Sequence, residues 1–294
     1  MRLATVRTGE GPRACAEVNG RYVDLNAADP GLPASVREIL AMGAEGIDRA
    51  RAAVDQAGPD ALAYAGATAV LMAPVFDPPK ILCLGLNYRD HAEESGMAIP
   101  TEPILFGKYA SSLIGSGETI ELPPTSDQVD FEAELVIVIG RAGRDIPLGA
   151  AMDHVGGYAV GHDVSARDWQ LHKPGKQWMA GKTFDTFAPV GPWVVTADEV
   201  PDPHALGIRL RLNGETMQDS STSQLIFRVD AVIAHLSTIM TLQPGDLIFT
   251  GTPPGVGMAR KPPVWLKDGD VVEVEIDGLG TLVNPVAPRP EPVG

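Results

Sequence analysis

Cysteine is nearly missing from this chain. Two of its 294 residues are cysteine, Cys15 and Cys83, and no C-x-x-C pair exists. A disulfide framework is therefore ruled out, and two reduced thiols point to a reducing, cytoplasmic setting. Apolar runs of bilayer-spanning length are missing too, and the N-terminal "MRLATVRTGEG" lacks the apolar region of a secretory signal. Positive charge is in deficit, with 23 Lys and Arg against 38 Asp and Glu, a formal net charge of −15. Such a chain repels nucleic acid and anionic membrane, so neither is expected as a partner. An anionic substrate would need local cations to overcome this field.

Turn-formers are plentiful: 32 glycines and 26 prolines sit in a chain that is 44% hydrophobic, a pattern of short strands with many turns. Residues 1–25 contain three strand-like pieces, "RLATV", "RACAEV" and "RYVDL". The stretch "SVREILAMGAEGIDRARAAVDQAG" predicts one helix, or two broken near Gly43. Ser35 is its capping candidate and Gly58-Pro59 its stop. Proline-rich "APVFDPPK" predicts a linker, which divides the chain into a small α+β domain (1–72), a linker (73–79) and a main domain (80–294). In the main domain "KILCLGL", "PILFGK", "ELVIVIG", "VGGYAVGHDV", "PWVVTA", "IRLRLNGE", "LIFTG" and "VVEVEID" predict strands. "RVDAVIAHLSTIM" predicts a helix, and "APRPEPVG" a frayed tail. The fold class is β-rich α+β.

One stretch imitates a phosphate-binding loop. In "PGKQWMAGKTFD", residues 174–185, five residues separate Gly175 from Gly181-Lys182-Thr183, where that loop has four. The preceding "SARDWQLHK" is polar, where a buried strand is required, and Trp178 would fill the cradle. A nucleotide site is rejected, which leaves Lys182 to be explained.

Acidic residues are arranged more tellingly. Along "DFEAELVIVIG", residues 130–140, alternation puts Phe131, Ala133, Leu135, Ile137 and Ile139 on one face. Glu132 and Glu134 share the other face with Val136 and Val138. Taken alone, this could be an exposed edge strand with a solvated acidic face. If buried, two ionised carboxylates repel and lose hydration, and a hard divalent cation removes both costs. "GYAVGHDVSARDWQ" brings a third carboxylate, Asp163. An all-oxygen set suits Mg²⁺ or Mn²⁺, and no thiolate or paired-His pattern supports structural zinc.

In "GLNYRDHAEESG", residues 85–96, His91 and Glu94 are three apart and share one helical face. A carboxylate beside an imidazole selects its tautomer and strengthens it as a base, although the same spacing suits a plain surface contact. Gly85 and Gly96 bracket this piece, so it could move as a lid. "GDLIFTGTPPGVG", residues 245–257, could hold a carboxylate or enolate oxygen, or be a tight structural loop.

Together, "GLNYRDHAEE", "FEAELVIVIG", "GHDVSARDWQ", "KQWMAGKTFDTFAPVGP" and "GDLIFTGTPPGVG", in that order, resemble the fumarylacetoacetate hydrolase family from about Lys80 to Val286. The resemblance implies mixed sheets rolled around the site, a homodimer, and Mg²⁺ or Mn²⁺ at Glu132, Glu134 and Asp163. It implies a water-activating dyad, His91 and Glu94, carried on a lid. Lys182 would hold a substrate oxygen beside the metal, and Arg167, Gln170 and Thr252 would line the pocket. Leu86 departs from members with arginine there. The implied activity is hydrolysis of a C–C bond in a small anionic 2-oxo acid of the acylpyruvate type, through an enolate. "GKQWMAGKTFDTF" and "ARKPPVWLKDGD" also resemble relatives that handle oxaloacetate, so decarboxylation or keto–enol tautomerisation is the alternative. A non-catalytic acid-binding protein is the third reading.

Overall fold

A computed structural model describes residues 1–58, 64–66 and 68–290. The chain opens with β1 (Arg2–Thr8), β2 (Gly11–Val18) and β3 (Arg21–Asp24). The β2–β3 turn uses Asn19 at φ 51° and Gly20 at φ 78°, the left-handed pair that suits a two-residue hairpin. After α1 (Leu25–Ala28) the expected long helix is two, α2 (Val36–Ala41) and α3 (Ala44–Gln56), broken at Gly43 with φ 65°. Ser35 sits at the cap position but its hydroxyl makes no capping bond. The stop at Pro59 lies outside the described residues.

Short β4 (Tyr64–Ala65) and β5 (Leu71–Met72) lead to β6 (Ile81–Gly85), α4 (Arg89–Glu94) and β7 (Ile104–Lys108). Next come β8 (Leu113–Ile114), β9 (Ile120–Leu122), β10 (Val129–Asp130) and β11 (Ala133–Ile139). They are followed by β12 (Val155–His162), β13 (Ser165–Ala166), α5 (Trp178–Lys182) and β14 (Ala188–Thr196). The chain continues through β15 (Gly207–Leu212), β16 (Glu215–Ser221), α6 (Val229–Ile239), β17 (Leu247–Phe249), β18 (Val271–Ile276) and β19 (Gly280–Pro288). All eight strands expected in the main domain form. The expected tail is still strand as far as Pro288, because β19 pairs with β18 and with β9.

The main sheet runs β4-β3-β2-β1-β14-β12-β11-β17-β6-β7, with β5 on β1 and β8 on β14. A second sheet runs β16-β15-β18-β19-β9. Both are mixed: β17–β6, β14–β8 and β19–β9 are parallel, and the other ladders are antiparallel. The architecture is strand-rich α+β, as expected.

The N-terminal segment does not form a sheet of its own. β1 pairs with β14, and one core joins Leu3, Ile39 and Leu40 to Val136, Val138 and Phe249. The proline-rich stretch expected as a linker is buried in that core, with Ala73 and Val75 inside and the Pro74 carbonyl accepting from Thr5 Oγ1 at 2.7 Å. Prolines suit this place because they bring no N–H that needs a partner.

β11 is central and buried on both faces. Leu135, Ile137 and Ile139 pack towards the second sheet and α6, whereas Val136 and Val138 pack towards α2 and α3. The edge-strand alternative is thereby excluded. Close strand packing depends on glycine: a Cβ on Gly157 in β12 would run into the Val195 carbonyl oxygen and come within 2.6 Å of Val194 Cγ1. On Gly149 it would meet nothing within 4 Å. Gly157→Ala is therefore expected to lower stability by roughly 1–3 kcal/mol, read as a lower denaturant midpoint, with Gly149→Ala near wild type. Equal midpoints would show that the strands part freely at this point.

Candidate active site

The register of β11 against β12 builds the centre. Ala133 faces His162 and Glu134 faces Gly161, and the pairing runs one step beyond the strands, where Asp163 N–H donates to the Glu132 carbonyl at 3.0 Å. Glu132, Glu134 and Asp163 thus meet, with one oxygen from each within 4.8 Å of the others. All three are buried: Glu132 is 6% exposed, Glu134 1% and Asp163 0%.

Three cations are buried with them. Lys182 Nζ donates to Glu132 Oε2 at 2.6 Å and to Asp163 Oδ2 at 2.8 Å. Arg167 donates to Glu132 at 2.5 Å, to Asp130 at 2.7 Å and to the side-chain Oε1 of Gln170 at 2.9 Å. Lys108 was not singled out in the sequence. Its Nζ lies 2.6 Å from Asp163 Oδ1, yet its three hydrogens go to the carbonyls of Val164, Lys182 and Phe187. Asp163 Oδ1 therefore has a charge beside it and no hydrogen-bond donor.

The two glutamates differ electrically. Burial would raise the Glu132 carboxyl, but the Arg167 and Lys182 charges overcome it and hold Glu132 well below the usual range. Burial raises the Glu134 carboxyl, and the neighbouring Asp163 and Glu132 raise it further. Lys182 and the Gly251 N–H offset this only in part. A divalent cation fits this donor set: it would give Asp163 Oδ1 its missing partner and stabilise Glu134 as the anion.

The glycine-rich loop does hold carboxylates, but they are the protein's own. Gly251 N–H donates to Glu134 Oε2 at 2.7 Å, and Gly255 N–H to Glu94 Oε1 at 3.0 Å. Glu94 in turn faces His91 Nδ1 at 3.2 Å on α4. The helix expected as a lid is fastened by Arg89 to the Leu225 carbonyl and by Ser220 Oγ to Asp90. Thr252 Oγ1 accepts from Gln218 Nε2 at 2.9 Å.

His91, Glu94, Glu132, Glu134, Arg167, Gln170, Lys182 and Thr252 line one cavity of about 420 Å³. Every pocket residue expected from the sequence is there, and Asp163 lies behind Lys182. The roles shift, however. Lys182 and Arg167 are bound to carboxylates, so neither presents an unpaired charge to a substrate. His162, beside Asp163, is also buried, with neither ring nitrogen partnered among the described residues. Burial, helped by Lys108, pushes it down to about 3 and keeps it neutral. A larger cavity of about 720 Å³ beside Gly43 and Arg141 contains no potential metal cluster among the described residues.

Residues 80–287 match the model of the fumarylacetoacetate (FAA) hydrolase C-terminal family. The chain belongs to the fumarylacetoacetate hydrolase family. It is 50% identical over 290 residues to oxaloacetate tautomerase fahd2, mitochondrial, of Xenopus laevis, covering 97% of this chain and 90% of that one. It is 47% identical over 290 residues to oxaloacetate tautomerase FAHD2A, mitochondrial, of Homo sapiens, covering 97% and 91%. Among solved structures it resembles maleylpyruvate hydrolase from Sphingobium sp. SYK-6 in complex with manganese(II) and pyruvate. That match has a TM-score of 0.79 and 32% identity over 99% of this chain and 100% of that one. The expected cytoplasmic location is overturned by these names, since both tautomerases are mitochondrial. Two free, buried thiols suit an organelle matrix as well as cytosol, so they could not separate the two.

The raised Glu134 carboxyl has a testable sign. In the metal-free fold it keeps its proton above its ordinary value of 4.5. The unfolded chain has by then released it, so this group's contribution to stability falls as pH rises. Metal-free Glu134→Gln is expected to gain Tm relative to wild type as pH rises above about 5, and to lack the stabilisation that Mg²⁺ or Mn²⁺ is expected to give wild type. An undiminished metal-induced shift in the variant would place the cation elsewhere.

Proposed function

We propose that this protein is a divalent-metal-dependent keto–enol tautomerase of small 2-oxo acids, with oxaloacetate as a substrate. The observation that carries this is the meeting in one cavity of a proton-transfer pair, His91 and Glu94, with the buried carboxylate–lysine cluster. The names of the two tautomerases support the choice of reaction.

Enolisation needs a base at C3 and charge stabilisation at the C2 oxygen. Glu94, held by Gly255, accepts the Nδ1 proton of His91 and leaves Nε2 as the base. Nε2 takes the C3 proton, and its return to oxygen or carbon sets the direction. Glu132, Glu134 and Asp163 would hold Mg²⁺ or Mn²⁺, which when bound supplies Lewis-acid polarisation of the 2-oxo group. Lys182, shared between Glu132 and Asp163, offsets the charge of those carboxylates beside that position. A homodimer belongs to the same proposal, and sedimentation reads it.

Hydrolysis of an acylpyruvate is the second reading. It is favoured because the same His91–Glu94 geometry suits water activation, and by the likeness to maleylpyruvate hydrolase. His91→Ala is expected to slow oxaloacetate enol–keto conversion, followed by the enol's ultraviolet absorbance, by roughly 10²–10⁴-fold. Acylpyruvate cleavage measured on the same preparations separates the readings. Cleavage far faster than tautomerisation would establish the hydrolase, and no turnover of either with metal would leave only binding.

A further inference from the structure

The cavity has two unlike ends, and the proposed reaction accounts for only one. At the inner end all the cations are bound to carboxylates. From there an aromatic path leads outward. Lys182 Nζ stands 5.2 Å over the Phe106 ring, and Phe106 meets Trp178 edge-to-face with centroids 5.8 Å apart. The Trp178 indole lies against the bare backbone of Gly85, where a Cβ would come within 3.1 Å of Cη2 and closer still to Cζ3. Leu86, Met97 and Met258 complete this outer wall. Leu86 holds a left-handed φ of 49°, which a non-glycine residue rarely adopts. Its neighbour Asn87 fixes that turn, with its amide donating to the Thr250 carbonyl at 2.8 Å and accepting from Phe227 N–H at 2.7 Å. Met97 and Met258 are both partly exposed, at 51% and 40%.

Among the described residues, no Lys or Arg lines this outer wall. A second carboxylate, such as oxaloacetate carries on C3, would be accommodated there less well, because it meets no cation on this wall, whereas an aryl or alkyl group would gain an apolar bed with flexible methionines to close on it. A cavity of about 420 Å³ also falls in the range that encloses drug-sized ligands, well beyond a four-carbon acid.

We infer that Leu86, Met97, Phe106, Trp178 and Met258 form an apolar subsite for the C3 substituent. The substrates then extend to 2-oxo acids carrying an aryl or branched alkyl group on C3, of which phenylpyruvate is the simplest aryl case. The inference rests on the tautomerase reading for its chemistry: the C3–H bond breaks, its electron pair forms C2=C3, and the proton ends on the C2 oxygen. Nothing else is consumed or released.

Binding and turnover test it separately. Oxamate and oxanilate share the same chelating end, and oxanilate adds only a phenyl ring in the place of the C3 substituent. With Mg²⁺ present, calorimetry is expected to show oxanilate binding at least about tenfold more tightly than oxamate, the worth of a well-packed ring. Trp178→Ala should remove most of that preference, and Met258→Arg should reverse the ranking of phenylpyruvate against oxaloacetate in kcat/KM. Equal affinity of oxamate and oxanilate in wild type would overturn the subsite, even if oxaloacetate is tautomerised. Preferential oxanilate binding with no tautomerisation of either acid would support the subsite and defeat the tautomerase reading.

Discussion

A buried charge balance governs this molecule. Asp130, Glu132, Glu134 and Asp163 meet Lys108, Lys182 and Arg167, each 6% exposed or less, so four potential anions face three cations. Such a group persists only if each charge is matched and hydrogen-bonded. Glu132 satisfies that rule through two cations, whereas Glu134 has only a backbone N–H. A proton on Glu134 makes the cluster neutral, and a divalent cation would take over that office with charge to spare. An affinity for metal here would follow from the shortage of a fourth cation.

The surroundings serve this balance. β11 and β12 set two carboxylates side by side through their ladder, and the loop after β17 supplies amide donors to two glutamates with different tasks. Gly251 holds a cluster carboxylate, and Gly255 holds the dyad's. Both have left-handed φ values, 93° and 100°, and a Cβ on Gly251 would press on Asn87 Cβ at 2.9 Å. One short loop thus couples the His91–Glu94 pair to the charged centre. A substitution within it should disturb both together.

Much of this was legible in the sequence because it is local. Strand alternation predicted that Glu132 and Glu134 share a face, and helical spacing predicted the His91–Glu94 contact. The partners of these groups were not legible, because they arrive from afar. Lys108 looks like any strand-end lysine, and only the folded chain places it against Asp163. The loop's donors are backbone groups, which carry no residue signature. Lys182 was set apart from phosphate binding in the sequence, and in the structure its partners are the cluster carboxylates themselves. The proline-rich stretch misled because composition cannot distinguish an exposed linker from a buried strap; the difference lies in Thr5 and in the core that receives Ala73 and Val75.

The strand order has a bearing on synthesis. β1 must await β14, and β6 must await β17, which arrives more than half of the chain later at Leu247–Phe249. A chain emerging from its N-terminus therefore presents an unpaired edge on β1 and on β6 for more than half of its translation. Contacts so distant in sequence make for slow folding and a long interval of exposed strand edges. Overexpressed chains are most vulnerable to aggregation in that interval, and a ligand of the finished pocket cannot protect them during it.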